Sequence, residues 1–390
     1  MVRIAVPVAA AVALGLASPP TEASTSLRAR LHAALAGFDG RGTGALAVDL
    51  ASGRVVYAHN ANASLLPASN QKLALTYAAL VVLGPSFRLR TEVLGEGHLE
   101  RGATWRGNLV LKGYGDPTLD RAGLAELARR LRASGVQRVT GSLVADESWF
   151  DVRRGGPGWK ASFVPVESQP LSALTVAGPR GALGTARLFR AALARAGVRV
   201  RGGTKVARAG GWPLTVRFSP PLDEILHNMD VESDNFTAEL ILKQLGATLA
   251  GRGTTAAGSA IVRGVLVERR VPLAGVRIAD GSGLSALDRL TAKALVTILQ
   301  RAWADRELRP VVFRILPVSG RDGTLADRLA KPPARGNVRA KTGTLAAASA
   351  LSGFVRERYA FAILQNGRRL SFYAARAAQD RFATVLAEQG

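Results

Sequence analysis

A serine and a lysine three residues apart open a long apolar run, ASNQKLALTYAAL, at residues 68–80. On a helix, Ser69 and Lys72 share one face, about 5–6 Å apart at Cβ. A lysine made neutral by desolvation or by a neighbouring cation can take the proton of such a serine and leave an alkoxide-like nucleophile without histidine. Of the 52 Lys plus Arg only eight are Lys, so composition alone does not put a lysine here.

Two further patterns supply a setting for that pair. Ser233-Asp234-Asn235 stands just ahead of a second apolar run with helical spacing. It reads either as a helix cap, which Ser and Asn favour, or as a hydroxyl that relays a proton beside an amide that grips a substrate carbonyl or Lys72. Lys341-Thr342-Gly343-Thr344 lies in a strand-like run, where alternation puts Lys341 and Gly343 on one face and Thr342 and Thr344 on the other. There Gly343 leaves room for a substrate against the strand, and the cation and hydroxyls suit a terminal carboxylate. Taken alone, the same residues would also serve an exposed strand followed by a turn. Each pattern occurs once, and their order, S-x-x-K then S-D-N then K-T-G, is the one that penicillin-binding proteins and class A β-lactamases share.

Other chemistries find less support. The four histidines, at 32, 59, 98 and 227, have no partner pattern, and no phosphate loop, dinucleotide loop, H-E-x-x-H or G-x-S-x-G run occurs. The absence of cysteine excludes disulfides, thiolate metal sites and cysteine nucleophiles, and neither metal nor cofactor is called for. A net charge of +23 attracts polyanions, yet the arginines are spread along the chain without aromatic interleaving, which argues against nucleic acid as a partner.

Residues 1–23 read as a secretory signal: Met1-Val2-Arg3, an apolar stretch from Ile4 to Ala17, then small residues with cleavage after Ala17 or Ala23. The expected compartment is therefore the periplasm, cell envelope or exterior, with membrane contact at most peripheral.

The elements that must hold the three motifs follow from periodicity. Helices are expected where Leu27, Leu31 and Leu35 recur, over 69–83 and 119–133, and in four apolar runs between 185 and 303. A hairpin is expected over 44–58, three strands over 337–367 and a closing helix over 370–389. Early strands, a helical middle and late strands imply an antiparallel sheet whose edge is formed by the two chain ends. Between 86 and 178 short strands, one helix and Gly/Pro-rich loops read as an insertion, with 153–170 as a loose surface connection.

Around the motifs, LLPASNQKLALTYAAL, LVLKGYGDPTL, LVADESWFD, IADGSGLSALDRLT and NVRAKTGTLAAASALSGFV resemble the D-alanyl-D-alanine carboxypeptidase/endopeptidase family, the class C low-molecular-mass penicillin-binding proteins. The resemblance runs from about residue 27 to the C-terminus. It implies an α+β fold, a β-lactamase/transpeptidase-like domain with an antiparallel sheet flanked by helices (24–85 and 179–390), carrying one inserted α/β subdomain (86–178) between the first and second motifs. It further implies that Ser69 attacks the penultimate D-Ala carbonyl of a peptidoglycan stem peptide, with Lys72 as base. Ser233 and Asn235 then relay the proton and orient substrate, Lys341 shapes the electrostatics, Thr342 and Thr344 take the terminal carboxylate, and Gly343 leaves the substrate room beside them. The backbone N–H groups of Ser69 and Thr344 form the oxyanion hole, and β-lactams acylate the same serine. Ala286 stands where the family shows Arg directly after GSGLS, so Arg289, three residues on, is the candidate for the acidic end of the stem, and Asp146 is a candidate stem contact from the insertion. The rivals are a β-lactamase, for which Glu167 is the nearest water-activating acid although its ESQPL context is not the expected one, and a non-catalytic wall-binding protein.

Overall fold

The protein is described here by a computed structural model over residues 22–38, 40–176 and 181–389. All but the last two residues of the expected signal peptide lie outside the described residues.

Helix α1 (Glu22–Ala34) precedes a hairpin of β1 (Thr43–Asp49) and β2 (Val55–His59), and a single 3₁₀ turn, Ala68–Asn70, leads into α2 (Gln71–Leu83). Strands β3 (Arg90–Glu100) and β4 (Thr104–Gly113) follow, then α3 (Arg121–Ala133), started by Asp120 accepting from the Gly123 N–H. Short strands β5 (Arg138–Val139) and β6 (Leu143–Asp146) end in an excursion over 147–176 that holds only α4 (Phe163–Val166). Helix α5 (Gly181–Arg195) is followed by β7 (Arg199–Val200), β8 (Thr204–Val206) and β9 (Trp212–Phe218). Five helices come next, α6 (Leu222–Glu232), α7 (Asn235–Ala250), α8 (Thr255–Glu268), α9 (Ala292–Ala304) and α10 (Leu308–Ile315). The chain closes through β10 (Val338–Leu345), β11 (Ala348–Val355), β12 (Tyr359–Asn366) and α11 (Phe372–Ala387).

The first sheet is antiparallel, in the order β10-β11-β12-β1-β2. Strands β1, β11 and β12 are buried on both faces, and strict alternation decides which residue serves which core. On β12, Tyr359, Phe361 and Ile363 pack under α1 and α11 with Leu31, Phe382 and Leu386. Ala360, Ala362 and Leu364 of the same strand face α2 and α9 with Leu75, Leu295 and Ile298. Each buried Leu, Ile or Phe contributes about 1.5–3 kcal/mol of transfer free energy, so a one-residue slip of β12 would invert two cores at once. The sequence expectation that the two chain ends form the sheet's edge is corrected. The first and last strands, β1 and β12, pair in the interior, and the edges are β2 and β10, the strand that carries Lys341-Thr342-Gly343.

The second sheet is mixed: β3 pairs antiparallel with β4 and β9, whereas β4 runs parallel to β5 and β6, which run parallel to β7 and β8 in turn. Parallel neighbours need crossovers, and α3 and α5 provide them, packing Leu124, Leu127, Phe189 and Leu193 onto the sheet. The insertion expected to end at 178 therefore continues to Phe218. An amphipathic pattern shows that α5 has an apolar face but not which sheet that face covers, so the sequence placed it with the wrong one.

The excursion over 147–176 is not a loose connection. Phe150, Leu171 and Ala173 pack with Phe236, Leu240 and Ala247 of α7, and Arg154 bonds Glu147 and the Leu171 carbonyl. Among the described residues no helix is long and apolar enough to cross a membrane.

Candidate active site

The turn that holds Ser69 is clamped from two sides. Ala68 sits at φ +47°, a left-handed conformation costly for a residue with a Cβ, and it persists because its surroundings fix it. On one side lies Gly343 of β10, where a Cβ would stand 2.9 Å from the Pro67 carbonyl oxygen and 3.1 Å from Ala68 Cβ. On the other lies Gly283, at φ +85°, where a Cβ would collide with the Ala68 carbonyl oxygen. Asn70 Nδ2 completes the clamp by donating to the Lys341 carbonyl at 3.0 Å. Gly343 thus lets β10 approach the turn that carries Ser69, and the same residue also lines the cavity.

Lys72, one turn into α2, is completely buried. Its Nζ lies 3.1 Å from Ser69 Oγ, 2.7 Å from Asn235 Oδ1 and 2.8 Å from the Ser282 carbonyl oxygen. An ammonium would donate to all three. A neutral amine would donate to the amide and carbonyl oxygens and turn its lone pair to the serine hydroxyl, so both charge states are accommodated. Burial pulls its pKa down to about 8, against the opposing pull of Asp230, Asp280, Asp234 and Glu239. Lys341 is buried beside it, and burial plus the charge of Lys72 bring its pKa down to about 7, with Asp230 opposing. The Asp230 carboxyl is itself raised by burial, while Lys341, a hydrogen bond from Thr76 Oγ1 at 2.7 Å and Lys72 draw it back.

The two readings of Ser233-Asp234-Asn235 separate cleanly. Asp234 is the cap, its carboxylate accepting from the N–H groups of Phe236 and Thr237 at 3.1 Å each. Capping thus leaves its neighbours free. Asn235 takes Lys72 on its oxygen and donates Nδ2 to the Glu167 carbonyl at 3.0 Å. Ser233 ends α6 in the left-handed conformation, at φ 61°, which turns it toward the cavity.

That cavity, of about 1140 Å³, is lined by Ser69, Ser233, Asn235, Thr342, Gly343 and Thr344 together, residues from all three motifs. Lys341 lies behind the wall, with Nζ 3.3 Å from the Thr342 carbonyl. Thr342 Oγ1 donates to Thr324 Oγ1 at 2.8 Å, and Arg376 of α11 donates to Thr344 Oγ1 at 3.3 Å.

Comparison with known proteins gives the family and the fold. The model of the D-Ala-D-Ala carboxypeptidase 3 (S13) family matches residues 27–180 and 163–389. The chain belongs to this family. A D-alanyl-D-alanine carboxypeptidase from Actinomadura sp. is 33% identical, covering 93% of this chain and 85% of the relative. Carboxypeptidase DacB from Mycolicibacterium smegmatis is 32% identical, over 96% and 86%. The alignment with the Actinomadura protein runs over 467 positions, more than the 390 residues of this chain, so that relative carries segments with no counterpart here. Among solved structures, penicillin binding protein 4 from Haemophilus influenzae superposes with a TM-score of 0.81 at 22% identity, covering 94% of this chain and 98% of that one. The S13 carboxypeptidase described here thus has the β-lactamase/transpeptidase-like α+β fold expected from its motifs.

Two of its expected site residues lie elsewhere. Asp146 is buried on β6, between β4 and β8, where it accepts from Lys112 Nζ at 3.1 Å and from the Ser148 N–H at 2.8 Å. It lines no part of the cavity, because a residue in the middle of a sheet is committed to that sheet. Arg289 closes its own turn, donating Nη1 to the carbonyls of Ala286 at 2.9 Å and Asp288 at 2.6 Å, while Ala286 itself faces the cavity.

One loop escaped the sequence reading, and a second was read only by resemblance. Gly158 and Lys160 line the cavity, and Trp159 Nε1 donates to Asp280 Oδ2 at 2.7 Å. Ser285 Oγ donates to the Pro157 carbonyl at 2.6 Å, so the Gly-rich stretch at 155–158 and the loop at 280–285 form one wall. The signal for both was their glycines, dense enough to mark close backbone approach but silent about the partner. Arg328 and Arg376, which also line the cavity, carried no sequence signal.

Proposed function

We propose that this S13 carboxypeptidase cleaves the terminal D-Ala from peptidoglycan stem peptides through an acyl-enzyme on Ser69. One observation carries the reading: a fully buried lysine amine stands 3.1 Å from a cavity-lining serine hydroxyl and, among the described residues, has no carboxylate bonded to it. Lys72 takes the Ser69 proton, and Oγ attacks the carbonyl carbon of the penultimate D-Ala. The oxyanion that forms meets the backbone N–H groups of Ser69 and Thr344. Collapse breaks the peptide bond, and the departing D-Ala nitrogen takes a proton delivered from Lys72 by way of Ser233. Water then attacks the ester, giving its proton back through the same groups and restoring Ser69.

Thr342 and Thr344 receive the terminal carboxylate, with the Lys341 charge behind them. β-Lactams occupy the same place and leave slowly. The second sheet, from about Phe87 to Phe218, acts as an inserted unit whose excursion over 147–176 forms one wall of the site. Cell-wall substrates and the basic surface fit an exported protein whose contact with membranes is at most peripheral.

The deciding experiment incubates wild type and Ser69→Ala with a fluorescent penicillin and reads intact mass. A stable adduct on wild type and none on the variant is expected; an adduct on both removes Ser69 from the mechanism. Glu167 reaches the cavity, so prompt loss of the adduct with hydrolysed penicillin in solution, abolished in Glu167→Gln, would replace this reading with a β-lactamase.

A further inference from the structure

Helix α7 grips Lys72 twice, and only one grip runs through the S-D-N motif. Asn235 and Glu239, four residues apart, share a face of α7. Asn235 bonds the amine directly. Glu239, fully buried, accepts at Oε1 from the N–H groups of Gly281 at 2.9 Å and Ser282 at 2.8 Å, and the carbonyl of that same Ser282 accepts Lys72 Nζ at 2.8 Å. The path from Glu239 to the amine therefore crosses a single residue.

The other oxygen, Oε2, is buried with no hydrogen-bond partner among the described residues. The adjacent acid, Asp280, is supplied quite differently: Oδ1 accepts from the Gly283 N–H, and Oδ2 from Trp159 Nε1, Ser282 Oγ and the Ser285 N–H. Of two neighbouring buried carboxyls, the one with more donors keeps the negative charge and the other keeps the proton. Burial, then the charge of Asp280, raises Glu239 to about 8, in agreement with that division.

We propose that Glu239 is a positioning residue for the base: it places the Ser282 carbonyl that seats Lys72, and as a neutral acid it withholds a second negative charge from that amine. This rests on the reading of Lys72 as the base. The charged groups that face the pair are Asp280 from the loop and Asp230, Asp234 and Lys341 around Lys72, with Asp288 behind Asp280. When Glu239 ionises, the carboxylate favours the ammonium form of Lys72 and so opposes the proton loss that makes the base.

The test measures penicillin acylation rate against pH for wild type, Glu239→Gln and Glu239→Ala. The glutamine keeps the acceptor for both amides and cannot ionise, so its acid limb moves to lower pH by about half a unit or more. The alanine frees the loop and slows acylation about 100-fold, and glutamine restores most of that loss. A glutamine profile that superimposes on wild type, or a glutamine as slow as the alanine, overturns the proposal. Should the alanine fail to fold, the glutamine profile decides alone. Failure of the parent reading is distinct, because it appears as an adduct on Ser69→Ala whatever the Glu239 profiles show.

Discussion

Lys72 and Lys243 are both fully buried lysines on helices, and they are held in opposite ways. Lys243 of α7 donates to the Asp151 carboxylate at 2.5 Å and to the Arg153 carbonyl at 3.1 Å. That ion pair ties α7 to the excursion that walls the cavity. Among the described residues Lys72 meets only neutral oxygens within bonding distance, and the carboxylates of its neighbourhood act from further off. Lysine burial alone therefore does not make a base. A carboxylate in contact makes the buried lysine half of an ion pair and a structural joint, whereas Lys72 is held by an amide, a carbonyl and a hydroxyl, all neutral.

The sharpest way to break this contrast is to give Lys72 the partner that Lys243 has. Asn235→Asp puts a carboxylate 2.7 Å from the amine. Acylation at pH 7 should fall about 100-fold, with the acid limb displaced upward by about one unit or more; stopped-flow acylation across pH reads both. In wild type the sign is fixed by the depressed values. Activity needs a neutral amine, so acylation rises with pH and its acid limb reports the coupled pair near 7 and 8.

Gly343→Ala tests how closely the clamp on the Ser69 turn controls the neutral site. A Cβ 2.9 Å from the Pro67 oxygen must push β10 away, slowing acylation about 10-fold or more and costing about 1–3 kcal/mol in denaturant unfolding.

Lys243→Met breaks the structural member of the comparison. It should destabilise by about 2–4 kcal/mol, below the range for a fully buried pair because Asp151 is a quarter exposed. Its acid limb should coincide with that of wild type; a displaced limb would mean that the two lysines are not independent. The smallest effect is expected for Arg289→Ala. Its guanidinium serves only its own turn, so kcat/KM on a stem-peptide substrate should stay within about twofold.

How much was legible follows the range of each signal. The helices and strands around the three motifs were readable because periodicity is local. The approach of Ser69 and Lys72 was readable because a three-residue spacing across a helical start brings the two side chains together. Asp234 illustrates the middle ground: a cap was expected, but which of three adjacent residues would cap depended on backbone angles that composition does not specify. Asp146 and Arg289 were misplaced because each lies in a stretch that resembles the family while its side chain is spent locally. The Gly-rich stretch at 155–158 looked like a surface loop because glycine marks flexibility and close packing alike; its contact with 280–285 spans more than a hundred residues of chain.

By itself the sequence determined the reagents: one serine with a lysine a turn away, a hydroxyl and amide at a helix start, and a cationic strand, in an order that names a reaction class. Only the tertiary structure decided that the lysine would sit with a lowered pKa beside neutral oxygens, because that depends on being sealed from water and on which oxygens approach it. Those oxygens belong to residues 163 and 210 positions away. Desolvation and acceptor charge are properties of the assembled neighbourhood, and no spacing along the chain encodes them.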